Sequence, residues 1–300
     1  MATEVEEYSA EFLQSVRQRL TEEVDRLEDK GCLDDREYQR FLTDDAYLKH
    51  YVKRKKGALD PSVTFLLEVL KWRQRLGISD LSEKSFPKEF YDFGGIHVYG
   101  EDREGNAICH IRLRLFSKTP EIMEILKKFV VYQMLQADDL GYRRSLESGR
   151  DVGWVLLFDC TGAGVSNADL EMSNFLNSTL KSYFPYGQKY VLNHNLPWLL
   201  NAIKAVIFAM LPANVKRRIR FSNDKTIEEL ISRDQLPGYM GGSNPAPYPT
   251  TPRGVLTTSE MAKESLLPLS PEEEQRVHKY YAKVYQEIKA SKAAAQAIGG

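Results

Sequence analysis

The chain has 300 residues, 42% hydrophobic and 28% charged, the balance of a globular protein with room for one large domain or two small ones. Its 41 Lys and Arg against 42 Asp and Glu leave a net charge of −1, which argues against a nucleic-acid polyanion as partner. No window reaches the roughly eighteen apolar residues of a membrane span. Three widely spaced cysteines, Cys32, Cys109 and Cys160, form no CxxC pair, and with no signal-peptide pattern they favour a reducing, cytoplasmic setting.

In chain order, Phe12, Val16, Leu20, Val24 and Leu27 recur at helical steps, predicting an amphipathic helix over 4–30 that Gly31 stops. Residues 33–56 read as helix in two pieces, capped by Asp44 or Thr43. A further helix starts at Asp60–Pro61 and ends at Gly77, so residues 1–77 form an all-helical part. Charge is uneven here: residues 1–35 hold eleven acids and four bases, whereas 49–56 hold five Lys and Arg and no acid. After Pro87 the pattern changes. "GGIHVYG" and "NAICHIRLRLF" read as strands around a turn, and 119–140 as a helix. Trp154–Phe158 is a continuous apolar strand, as in a parallel sheet buried on both faces. A helix over 166–184, a strand at 189–193, a greasy helix over 197–211, a basic helix over 212–218, a strand at 218–221 and a helix around 225–232 follow. Alternating strands and helices define an α/β region over 86–243. Residues 244–300 read as a proline-rich linker and a final helix docked by Val277, Tyr281 and Val284. No internal repeat is present.

Catalytic patterns are weak. GxSxG and GxxxxGK[ST] are absent. "FDCTGAGVSN" lacks the third glycine of a dinucleotide loop and reads as a tight strand-to-helix turn. His50, His97, His110, His194 and His278 have no metal-ligand spacing. His110 and Cys160 form a conceivable nucleophile pair, against the plainer reading of a sheet-face polar group and a structural thiol. The expectation is no enzyme, no metal and no cofactor beyond a bound hydrophobic ligand.

Five segments resemble, in order, those of the Sec14-like, or CRAL-TRIO, family of lipid carriers. They are "DDAYLKHYVKRKKGALDPSVTFLLEVLKWR" (44–73), "EDREGNAICHIRLRL" (101–115, with Ala107 where the family has proline), "WVLLFDCTGAG" (154–164), "LPWLLNAIKAVIFAMLPANVKRRIRF" (196–221) and "QLPGYMGGSNP" (235–245). The resemblance implies an all-helical N-terminal part, then a mixed, mainly parallel sheet flanked by helices, with a lipid cavity closed by a gate helix. In that reading Trp198, Leu199, Ile203, Val206, Ile207 and Met210 line the gate. Asn201 and Lys204 share one helix face, leaving the others apolar. In "AICHIRLRL", Cys109, Ile111, Leu113 and Leu115 alternate with His110, Arg112 and Arg114. The polar side is either a wet edge or part of a cavity floor, for which His110, Arg112, Leu156, Phe158 and Leu192 are the candidates. Lys216, Arg217, Arg218 and Arg220, with Lys53, Arg54 and Lys55, are the candidates for anionic headgroups and a transient membrane contact. Tyr186 stands where phosphatidylinositol carriers of the family have a glutamate, which argues against that ligand. The alternatives are a carrier of a retinoid, tocopherol, sterol or similar hydrophobe, a Rossmann-like nucleotide-binding enzyme at Thr161–Ser166, and an adaptor acting through its terminal helices.

Overall fold

Ser9 opens the first helix by accepting a hydrogen bond from the Phe12 amide, the service a serine performs ahead of an apolar stripe. The computed structural model describes residues 8–185, 187–211 and 213–298, with backbone alone at 202, 203, 207, 210, 214 and 291–298. Helix α1 spans Ala10–Asp25 and buries Leu13, Val16, Leu20 and Val24. Asp44 ends α2 (Asp35–Thr43) and caps α3 (Asp45–Val52) by accepting the Tyr47 amide at 2.9 Å. Helix α4 (Leu59–Leu76) stops at Gly77, whose φ of 65° suits glycine. These helices, up to Leu81, form one compact unit together with Asn174–Gly187, where Tyr183 stacks on Trp72 at 5.0 Å.

The second unit comprises Ser82–Ser173 and the chain from Gln188 onward. Its five-stranded sheet runs in the order β1 (Ile96–Glu101), β2 (Ala107–Arg112), β3 (Trp154–Asp159), β4 (Gln188–His194), β5 (Ile219–Ser222). The first pair is antiparallel and the other three are parallel. Asp102 holds the β1–β2 turn by accepting the Glu104 and Asn106 amides at 2.9 and 2.8 Å. Helix α5 (Lys88–Phe93) precedes β1, and α6 (Met123–Ser148) crosses from β2 to β3. Helix α7 (Leu170–Ser182) follows β3, while α8 (Asn201–Met210) and α9 (Ala213–Lys216) join β4 to β5.

Three local expectations are corrected. The strand over 106–116 ends at Arg112, because Leu113–Leu115 coil into a 3-10 turn. The helix expected around 225–232 is only a 3-10 turn, Ile227–Glu229. That over 212–218 is α9, four residues long. The proline-rich segment contains a short helix, α10 (Thr258–Lys263), made by a reciprocal Thr257–Glu260 cap. Segment 236–250 then lies against the sheet. Gly242 sits so close to Leu236 that a Cβ there would come 1.9 Å from the Leu236 carbonyl oxygen. The final helix, α11 (Pro271–Ile298), buries Val277, Tyr281 and Val284.

Candidate functional site

Side chains alternate across a strand, and paired residues of parallel strands share a face. The register therefore sorts the sheet into two sides. One carries Cys109, Ile111, Trp154, Leu156, Phe158, Val191, Asn193, Ile219 and Phe221. Helix α6 covers its β1–β3 end, where the Trp154 indole N–H donates to Asp138 at 3.0 Å. Toward β4 and β5 that cover thins. Phe158, Val191, Asn193 and Ile219 are half-buried, and Phe221 is 45% exposed. This half-open wall is apolar but for Asn193.

Helix α8 meets the wall at its β5 edge. Phe208 stacks on Phe221 with centroids 6.2 Å apart, and the Lys204 ammonium stands 4.2 Å above the Phe221 ring. Leu200 and Leu211 are buried at the two ends of the helix. Trp198, Leu199 and Val206 face outward, Trp198 being 83% exposed. The side chains of Ile203, Ile207 and Met210 lie outside the described residues. The chain enters this segment through Asn195, at φ 51°, whose amide donates to Thr161 and Asp224 at 3.0 and 2.8 Å. An asparagine is among the few residues that tolerate such a φ.

The predicted floor residues do not form one floor. Leu156 and Phe158 belong to the half-open wall, whereas His110, Arg112 and Leu192 point to the opposite side. There Leu192 joins a core with Ile108, Val155, Leu157, Tyr190, Ile227, Ile231 and Leu236. His110 is fully buried between the Tyr99 carbonyl and the Tyr239 hydroxyl, at 3.0 and 3.3 Å, and burial lowers its pKa to about 4. The Arg112 guanidinium lies 3.9 Å over the Tyr239 ring, pairs with Asp159 at 4.0 Å and donates to the Tyr248 hydroxyl at 3.3 Å. The polar side of β2 is thus neither a wet edge nor a cavity floor: the segment 236–250 seals it.

The basic candidates also divide. Lys216 and Arg217 are exposed and have no acidic partner among the described residues. Arg218 donates to the Gln188 carbonyl at 3.2 Å, and Arg220, itself exposed, stacks on Tyr190 at 3.9 Å on the side opposite the wall. In the first unit, Lys53, Arg54 and Lys55 form a 3-10 turn. Arg54 there is a helix clamp, donating to the carbonyls of Leu180 and Phe184 at 2.8 and 2.6 Å and to that of Lys181. Lys55 stands 4.9 Å over the Phe65 ring. Tyr186 lies outside the described residues.

Two backbone donors of the glycine turn after β3 are already engaged by side chains. Asp159 accepts the Thr161 amide at 3.0 Å, and Asn167 accepts that of Gly164 at 2.8 Å. The first turn of α7 is capped by the Asp169 carboxylate, which accepts from Glu171 and Met172 at 2.8 and 3.2 Å, so a phosphate would meet a negative group there. Burial raises the Cys160 thiol to about 12, which removes the thiolate a nucleophile needs. Among the described residues no cluster of three His, Cys, Asp or Glu could hold a metal, and no helix is long and apolar enough to cross a membrane.

A family model of the CRAL/TRIO domain matches residues 92–242. Over 229 residues the chain is 22% identical to the CRAL-TRIO domain-containing protein C3H8.02 of Schizosaccharomyces pombe, covering 73% of this chain and 50% of that protein. It is 26% identical over 231 residues to the Sec14 cytosolic factor of the same yeast, covering 68% of this chain and 76% of that one. Over 141 residues it is 25% identical to human tyrosine-protein phosphatase non-receptor type 9, covering 47% of this chain. The chain thus spans half the length of the first relative and 23% of the phosphatase. The crystal structure of Sfh5 superposes with a TM-score of 0.53 at 13% identity, over 87% of this chain and 99% of that one, which is a likeness of fold.

Proposed function

The chain belongs to the CRAL/TRIO domain family, and from that premise we propose that it is a non-catalytic carrier that holds a lipid or similar hydrophobe between the half-open sheet wall and α8 and exchanges it at membranes. One observation carries this reading. A 3-10 turn and helix α8, which turn Trp198, Leu199 and Val206 outward, stand against an apolar wall that is half-open toward β4 and β5, close in sequence to Lys216 and Arg217, cations with no acidic partner among the described residues. Burying an aliphatic chain there gains about 0.8 kcal/mol per CH₂, so a fatty ligand needs few polar contacts. Outward apolar groups beside cations suit a transient anionic membrane surface, where each Lys or Arg contributes about 1 kcal/mol. The reading includes a cytoplasmic setting, supported by the three free cysteines. At a finer level, "EGN" at 104–106, "LPWLLNA" at 196–202 and "YMGGSNP" at 239–245 resemble the lipid-carrier domain of motile sperm domain-containing protein 2.

Native mass spectrometry of the purified protein tests the carrier reading: a co-purifying lipid-sized ligand is expected, and a bound nucleotide instead would overturn it. Reversing Arg217 and Arg218 to Glu is expected to weaken co-sedimentation with vesicles containing anionic lipid by about tenfold or more, and added salt to weaken the unmodified protein. Equal sedimentation of both proteins at every salt concentration would remove the membrane contact from the proposal.

A further inference from the structure

The wall facing α8 is built in two rows across the sheet. One is Cys109, Leu156, Val191 and Ile219; the other is Ile111, Phe158, Asn193 and Phe221. Asn193 is the one polar side chain in either row, flanked by Phe158 on β3 and Phe221 on β5. Its amide has no hydrogen-bond partner among the described residues, although it is half-buried. Its strand neighbours Leu192 and His194 are buried on the opposite side, so Asn193 has no freedom to turn there without losing the register.

An unpartnered amide on a wall that a ligand dries out costs free energy unless the ligand supplies its partner. We infer that Asn193 is the specificity-determining residue of this wall, and that it selects a ligand bearing a neutral hydrogen-bonding group, a hydroxyl or an ester or amide carbonyl, at that depth. The inference rests on the carrier reading above and adds the chemical class of the cargo. The amide offers two donors and an acceptor, so it satisfies hydroxyl and carbonyl alike. It carries no charge with which to stabilise a phosphate. Lys204, over the neighbouring Phe221 ring, is directed at the Phe208 and Phe221 rings. Lys216, Arg217 and Arg218 precede Ile219, whereas Asn193 pairs with Phe221, two residues or about 7 Å further along the strand. A phosphate at the basic end would leave Asn193 facing the neutral part of the molecule.

The test uses the full chain and phosphatidylcholine vesicles carrying one of three pyrene-labelled probes: a diacylglycerol, a phosphatidic acid, or an alkane of equal chain length. Uptake is read from the change in pyrene emission. The unmodified protein should take up the diacylglycerol about tenfold better than the alkane, and better than the phosphatidic acid. Asn193→Leu should abolish the preference for diacylglycerol over alkane while leaving alkane uptake intact. Asn193→Asp, of the same shape, should lower diacylglycerol uptake about tenfold and decides the matter if the leucine variant does not fold. A folded leucine variant that keeps the preference, an aspartate variant with unchanged uptake, or an unmodified protein that prefers phosphatidic acid would each overturn the role of Asn193 and leave the carrier reading standing. Uptake of none of the three probes would overturn both.

Discussion

Glu37 is buried in the helical unit yet carries a carboxylate, and the side chains around it explain why that is tolerated. It accepts from the Tyr47 and Tyr51 hydroxyls at 2.7 and 3.1 Å and faces Arg73 at 3.4 Å, with Asp34 at 3.6 Å from the same guanidinium. Removing one partner of a buried ion cluster leaves the others uncompensated. Arg73→Met is therefore expected to destabilise the protein by about 3–5 kcal/mol, and adding Glu37→Gln to recover part of that loss. Urea unfolding of the single and double variants checks it: losses that simply add would show that the two side chains do not interact. Arg54 teaches a related lesson. Its neighbours in the sequence, Lys53 and Lys55, suggest a surface patch, yet its guanidinium is spent on the Leu180 and Lys181 carbonyls in the last turn of α7, the end of a helix that attracts cations, and on that of Phe184 just past it.

Among the elements, segment 236–250 and helix α8 cover opposite sides of one sheet by different chemistry. The segment closes over His97 and His110, whose rings stack at 4.9 Å and which burial holds neutral, His110 down at about 4. An unfolded chain binds those protons near the ordinary 6.5. Their contribution to stability is thus complete above pH 6.5 and is lost as pH falls from 6.5 toward 4, by at most about 3 kcal/mol for His110. The thermal midpoint should fall through that window, and less steeply in His110→Gln; parallel curves for the two proteins would contradict the assignment. Helix α8 instead touches its wall through Phe208 and leaves Val206 51% exposed. Val206→Asp should therefore keep the fold and slow lipid transfer between vesicles about tenfold, since the carboxylate resists entry into the lipid surface. An unchanged transfer rate would show that this side of α8 does not meet the membrane.

At the scale of the whole molecule, the long final helix belongs to the sheet unit. Tyr281 packs against Phe93 at 5.2 Å, Tyr280 donates to the Leu115 carbonyl at 2.9 Å, and Arg114 pairs with Glu287 at 3.2 Å. Ending the chain at residue 270 removes the buried Val277, Tyr281 and Val284, worth on the order of 5 kcal/mol, and should lower the melting temperature by roughly 10 °C. An unchanged melting temperature would mean that the helix only rests there. That Val277, Tyr281 and Val284 dock this helix was legible from their spacing. So were the α3 cap, down to Asp44 or Thr43, the stop at Gly77, the doubly buried strand from Trp154, the greasy helix before a basic turn, and through these the family, because each depends on a few neighbouring residues. The tertiary structure alone decided which side of the sheet is half-open and which is sealed. A strand buried on both faces shows no alternation to say which layer lies above it, so Leu156 and Phe158 could not be told from His110, Arg112 and Leu192 until the register was known. For the same reason Asn193 carries no signature in the sequence: Phe158 and Phe221, which pairing brings to its sides, lie 35 and 28 positions away.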